Sequence, residues 1–225
     1  MRALLLTHRT RGARLVTDVT IGAIERRQGR WIVKSPTEDY SAPVFINAAG
    51  AWADDVARMA GVEPLGFEPK RRTVVTFDVR PELKIADWPL VIDAAETFYF
   101  KPDAGRLLLT PADETPSPPC DAQPEEIDVA RAIDRFETLT TERVKRIAAK
   151  WAGLRTFAPD RTPVVGFDER VEGFFWLAGQ GGYGMQTSSA MARTAAALAS
   201  GAPIPTDISA HGITIEALSP RRFIM

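Results

Sequence analysis

Two residue types that carry much of enzyme chemistry are nearly missing from these 225 residues. There is one cysteine, Cys120, and there are two histidines, His8 and His211, near opposite ends of the chain. A single thiol excludes an internal disulfide framework and most cysteine-based metal sites. Its place in a proline-rich loop marks it as incidental. Two distant histidines leave no His-rich metal cluster and no ready Ser-His-Asp relay, so each is read as a surface residue. No apolar run reaches the ~18 residues of a membrane-spanning helix, and the apolar part of the opening MRALLLTHRTRG is too short for a signal peptide. A dominant charge is lacking too: 28 basic and 29 acidic residues give a formal charge of −1. That balance points away from nucleic acid or a charged membrane surface as a partner. No internal repeat is found. Together these absences describe a cytoplasmic protein. At 45% hydrophobic residues the chain is able to bury a core, as one large or two small domains.

What is present centres on FFWLAGQGGYGMQTSSAMARTAAALAS, residues 174–200. Residues 174–178 predict a buried strand that runs into Gly179, Gly181, Gly182 and Gly184 and then into a helix rich in Ala, Met and Ser. Strand, glycine loop and helix start build an anion or cofactor site, because glycine lets backbone approach a ligand and the helix start offers unpaired N–H groups. By itself, a structural turn with a structural helix behind it explains the stretch equally well.

Upstream, residues 3–11 predict the last turns of a helix, 13–19 a strand, and Ile21 to Val33 a hairpin around Gln28-Gly29. Residues 42–46 predict another strand, which ends in small residues (NAAGAWA, 47–53) before a helix at 54–59. Open α/β sheets place such transitions at a cofactor crevice; a tight strand–helix turn is the alternative. From Phe67 the pattern turns antiparallel. An alternating strand at 73–79 is followed by a hairpin of 97–101 and 106–110, then a loop with five prolines at 111–124. Residues 125–139 have helical spacing and an acidic first turn, and 140–149 predict a second helix. Residues 164–166 predict a short strand.

Five motifs stand in order: NAAGAWADDVA (47–57), PKRR (69–72), FYFKPDAG (98–105), WAGLRTFAPDRTPVVG (151–166) and FFWLAGQGGYGMQTS (174–188). As a set they resemble the C-terminal part of FAD-dependent oxidoreductases of the D-amino-acid oxidase and glycine oxidase superfamily, and most closely the D-arginine dehydrogenase branch. The resemblance runs from residue 13 to 222. It implies an α/β fold, α+β overall: a partial Rossmann-like FAD-binding domain from residues 1–66 and 158–225, with an antiparallel substrate domain, 67–157, inserted. The family's opening βαβ unit with GxGxxG has no counterpart before Ala13. The resemblance therefore also implies a fragment, and the alternative is a truncated, non-catalytic remnant that cannot hold FAD by itself.

The chemistry so implied is oxidation of a D-amino acid or related amine, with hydride passing from the α-carbon to flavin N5 and the imino acid hydrolysing to a 2-oxo acid. A flavin reaction needs no side-chain nucleophile, which suits a chain poor in His and Cys. The electron acceptor (quinone, carrier or oxygen) and the substrate side chain stay open. Arg155 matches the carboxylate-binding position, where a planar guanidinium fork suits the ligand; a structural ion pair is the other reading. Tyr99 lies between Phe98 and Phe100, hence on the opposite strand face, with its hydroxyl toward the carboxylate. Arg72 matches a site arginine of the dehydrogenase branch, and a solvated basic turn is the alternative. Gly153 is expected to bring its carbonyl to the substrate amine, Gln186 to lie near the substrate, and both to border the flavin as well. Gly181, Gly182, Tyr183, Gly184 and Met185 form the turn and helix start beside the flavin, Tyr183 by packing. Ala48, Ala49, Gly50 and Trp52 border the cofactor, and Val19 the adenine. No metal is implied.

Overall fold

The computed structural model describes residues 12–224. His8 and the helix expected over 3–11 lie outside the described residues. The first element is an antiparallel meander of β1 (Ala23–Arg27), β2 (Arg30–Lys34) and β3 (Asp39–Ala42). Gln28 and Gly29, at φ 50 and 76, form the hairpin turn that the sequence predicts. The strand expected over 13–19 does not form. Asp18 sits at φ 60, off the extended region, and the backbone joins the meander only where the Gly22 N–H bonds the Lys34 carbonyl.

The strand expected over 42–46 is also corrected, because Pro43 divides it. Proline has no N–H for a ladder, so β3 ends at Ala42 and the chain enters a different sheet as β4 (Phe45–Asn47). The Phe45 N–H bonds the Gly173 carbonyl at this crossing. Buried Asn47 then folds the small-residue turn: its amide donates to the Ala53 carbonyl at 2.8 Å and its side-chain oxygen accepts from the Ala49 N–H. Helix α1 (Ala53–Met59) follows.

Residues 68–157 supply a six-stranded sheet. Its strands are β5 (Glu68–Phe77), β6 (Val91–Ile92), β7 (Tyr99–Asp103), β8 (Arg106–Thr110), β9 (Thr115–Pro116) and β10 (Ile147–Phe157), in the order β10-β5-β8-β7-β6, with β9 on β5. Helix α2 (Glu126–Leu139) covers one face, where Phe136 meets Phe77 and Phe100 edge-on at 5.1 and 5.2 Å between ring centres. Val75, Leu107 and Leu109 fill the same layer at 0% exposure. The pleat alternates, so the neighbours of these residues point to the other face. Arg72 is paired with Gly153, and Lys70 with Arg155. Arg72, Tyr99, Gly153 and Arg155 therefore share the face that α2 leaves uncovered. No helix forms at 140–149. Thr140 closes α2 through the Phe136 carbonyl, and 147–157 pair along β5 instead. Ladder pairing with a distant strand outweighs the helical preference of Ala and Lys.

The last segment returns to the small sheet. β11 (Val164–Phe167) runs antiparallel, and β4 parallel, to the central β12 (Phe174–Ala178). Phe174 and Trp176 face α1 and the meander, while Phe175 faces α3 (Gly184–Ala199) and the final short helices α4 (Thr206–Ser209) and α5 (Ile215–Leu218). A strand buried on both faces reads as a continuous apolar run, as FFWLA does. No helix among the described residues is long and apolar enough to cross a membrane.

One buried charge anchors this sheet. Asp168 accepts from the Arg170 backbone and guanidinium and, at 3.1 Å, from the Trp176 indole N–H. Burial alone raises its carboxyl, but the bonds from Arg170 and Trp176 outweigh that and hold it below the usual range. A depressed carboxyl stabilises above its unfolded value, and that stabilisation is lost as pH falls through the folded value. Asp168→Ala, which leaves the indole N–H unpaired, should cost about 1–3 kcal/mol at neutral pH. Urea denaturation at neutral and acid pH checks this: the difference from the unmutated chain should shrink in acid.

Candidate active site

The uncovered sheet face and the glycine turn enclose a cavity of about 1080 Å³. Arg72, Tyr99 and Arg155 line it from the sheet, and Gly182, Tyr183 and Gln186 from the turn and the start of α3. The turn is laced to the end of β10. The Gly181 N–H bonds the Thr156 carbonyl at 2.9 Å, and Phe157 bridges to Gln180. Glycine is required there twice, for different reasons. A Cβ on Gly181, at φ 54, would lie 2.6 Å from the Phe157 ring; one on Gly182 would lie 2.6 Å from Arg155 Nη1.

Arg155 is thus pressed between the turn and Tyr99, whose hydroxyl is 3.3 Å from Nη2. Among the described residues it has no carboxylate partner, so the structural ion pair weighed from the sequence is not present. Arg72 is 8% exposed, which sets aside a solvated basic turn for it. Its Nε donates to the Asp113 carbonyl at 2.8 Å, and its Nη2 reaches Glu114 at 3.3 Å. Glu114 is held more closely by Arg161, with two contacts of 2.9 Å, and Arg161 lies 4.1 Å from the Phe157 ring centre. Burial, and then the charge of Arg155, push the Arg72 guanidinium below its ordinary value. The pleat turns Arg71 the other way, to Asp128 and Glu125 on the α2 side.

The remaining expected residues fall in three places. Gly153 is beside Arg155 on the open face, and a Cβ on it would meet nothing within 4 Å. Ala48 and Ala49 lead into the short helical turn Gly50–Trp52, which packs against β10 next to that face. Gly184 and 86%-exposed Met185 open α3, whose first N–H groups have no side-chain cap. Val19, in the irregular segment 13–22, is not among the residues that line the cavity. Sequence reasoning missed Glu114 and Arg161, which sit in a proline-rich loop and a turn, and Arg131 and Arg135 on α2, which also reach the cavity. Nothing local marks them, since only the fold brings loop, turn and helix to one wall.

The model of the DAO family, FAD dependent oxidoreductases, matches residues 1–198. The chain belongs to that family. Among curated proteins, this DAO-family chain is 28% identical over 187 residues to FAD-dependent oxidoreductase domain-containing protein 1 of Xenopus laevis, covering 72% of the chain and 36% of that protein. Its fold resembles glycine oxidase from Geobacillus kaustophilus (TM-score 0.74, 22% identity, 89% of the chain and 53% of the oxidase). It also resembles L-proline dehydrogenase from P. horikoshii (TM-score 0.78, 21% identity, 99% of the chain and 58% of the dehydrogenase). The chain thus spans about a third to three fifths of the length of these proteins.

FAD is the cofactor of the family, and the residues present fit its flat ring. Gly153 faces open space, and Trp151, two residues before it on β10, and Trp52, in the short helical turn packed against β10, are left 43% and 46% exposed. The uncapped start of α3 adds the positive end of a helix dipole, suited to the electron-rich edge of a reduced flavin.

Proposed function

We propose that this chain takes part in FAD-dependent oxidation of the amine of an amino acid, with the substrate carboxylate held by Arg155. The observation that carries this reading is a guanidinium without a carboxylate partner among the described residues, walled into a cavity by Tyr99 and Gly182. Such a group is satisfied by an anion, and its planar fork suits a carboxylate. Tyr99 adds a third bond and fixes the tilt. β10 is an edge strand, so alternate carbonyls along it point out of the ladder, Thr156's to the Gly181 N–H; that of Gly153, turned toward Arg72 by the same alternation, is assigned to the substrate amine through its second lone pair. With carboxylate and amine both fixed, the α-carbon faces the open space over Gly153. When bound there, the flavin supplies the two-electron acceptor for the C–N bond, with hydride leaving the α-carbon. Residues 67–157 then form the substrate-binding part, and 1–66 with 158–225 the FAD-binding part. The D configuration belongs to the same proposal, and the names of glycine oxidase and L-proline dehydrogenase support amino-acid amines as the substrate class.

Anaerobic mixing of the FAD-supplemented protein with D-, L- and N-methyl amino acids tests this. Bleaching of the flavin by a D-amino acid supports the reading, bleaching by the L enantiomer alone overturns the D configuration, and no bleaching by any of them contradicts the reading as a whole. Tyr99→Phe, which removes one bond to the carboxylate, should raise KM about 2- to 10-fold with kcat little changed. Steady-state kinetics on the bleaching substrate checks that split.

A further inference from the structure

The part of the cavity wall that α2 supplies carries a second excess of positive charge. Arg131 and Arg135 stand one turn apart on α2 and both line the cavity. Arg131 reaches Asp128 at 3.2 Å, but that carboxylate is already held by Arg71 at 2.9 Å. Arg135 has no carboxylate partner among the described residues. Its bonds, to the Thr97 and Pro111 carbonyls, both use Nη1, leaving Nε and Nη2 uncommitted. Arg71 takes Glu125 and Asp128, with Asp113 3.9 Å from its Nε, so Arg131 shares Asp128 and Arg135 is left without a carboxylate among the described residues. Like charges four residues apart on a helix repel each other, and an anion between them relieves the repulsion.

Elsewhere on the wall the cations are matched. Arg72 and Arg161 share Glu114, and Lys101 pairs with Asp103. Among the described lining residues, only Arg155 and Arg135 lack a carboxylate, and both face the same cavity. Glu96, the lining carboxylate without a cation, is exposed on the hairpin beside Thr97. Thr97, whose carbonyl accepts from Arg135, and Tyr99, bonded to Arg155, are two residues apart at the entry to β7, a span of at most about 7 Å.

We propose that the substrate is a dicarboxylic amino acid, its second carboxylate held by Arg135 with Arg131 beside it. This rests on Arg155 as the anchor of the first carboxylate. Arg135 then determines specificity without touching the reacting carbon. A monocarboxylic amino acid fills the Arg155 end alone and leaves the far charges unmatched.

Calorimetric titration of the purified chain, with FAD present, separates the possibilities, using butyrate (one carboxylate) and glutarate (two) as probes. Glutarate should bind at least about tenfold more tightly than butyrate. Arg135→Gln should bring the two within about twofold, and Arg135→Lys should retain part of the difference. Butyrate binding by Arg135→Gln shows that the variant is folded. Equal binding of both probes by the unmutated chain overturns the second site and leaves the Arg155 anchor standing. A glutarate preference that survives Arg135→Gln overturns the assignment to Arg135. Binding of neither probe overturns the anchor and this inference with it.

Discussion

Replacing Arg155 by methionine is expected to lower kcat/KM for an amino-acid substrate by about 30- to 4,000-fold, the equivalent of roughly 2–5 kcal/mol for one partner of a desolvated charged pair. The stability effect should be small and of the opposite kind. Among the described residues Arg155 makes one 3.3 Å bond, to Tyr99, and has no carboxylate to lose. Its charge is among the causes that push the Arg72 guanidinium below its ordinary value. Removing that charge relieves Arg72, so the urea midpoint should stay level or rise. A structural arginine behaves the other way, losing stability along with activity. Arg155→Lys keeps the charge and loses the planar fork, and it should recover only part of the lost kcat/KM.

The glycine turn gives the second large effect, and two adjacent positions should separate cleanly. An added Cβ at Gly182 meets the tip of Arg155, at 2.6 Å from Nη1 and 3.0 Å from Cζ. A flexible tip moves aside at little cost to the fold, but the carboxylate fork moves with it. A misplacement of about 1 Å in a positioning group is worth on the order of 100-fold in rate. Gly182→Ala should therefore lose about 100-fold in kcat/KM while unfolding close to the unmutated midpoint. At Gly181 the Cβ meets ring atoms of Phe157 at 2.6 and 2.9 Å, and φ is 54. The ring belongs to the end of β10 and cannot swing away. Left-handed strain and overpacking together should destabilise Gly181→Ala by about 2–5 kcal/mol. Urea unfolding of the two variants side by side, with kinetics on each, checks the contrast.

Local signals carried much of the fold into the sequence. The Gln28-Gly29 hairpin, the hairpin of β7 and β8, helix α2 and the run from β12 through the glycines into α3 are each specified by a few adjacent residues. What failed needed partners far away. Residues 140–149 read as helix because Ala and Lys favour one, yet no helix forms there and 147–157 are placed by the ladder with β5, some 70 to 90 residues earlier. Residues 13–19 read as strand, but no strand among the described residues pairs with them.

The site was legible to the same extent. Tyr99 announced its face by standing between two phenylalanines, and Arg155 stood out as a charge ending an apolar strand. Arg72 was ambiguous until the pleat sent Arg71 to α2 and Arg72 to the cavity. Glu114, Arg161 and Arg135 could not be found at all. Each is an ordinary charged residue in its own stretch and becomes part of the wall only when the 111–114 segment, the turn after β10 and α2 converge.

The central claim is that Arg155, Tyr99 and the glycine turn make one carboxylate site. A crystal structure of the chain with FAD and butyrate bound tests it most directly. Both carboxylate oxygens should lie about 2.7–2.9 Å from Arg155 nitrogens, with the Tyr99 hydroxyl as a further donor and Gly182 against the guanidinium. Butyrate bound elsewhere, with Arg155 turned away from Gly182 toward a protein carboxylate or the solvent, would contradict it.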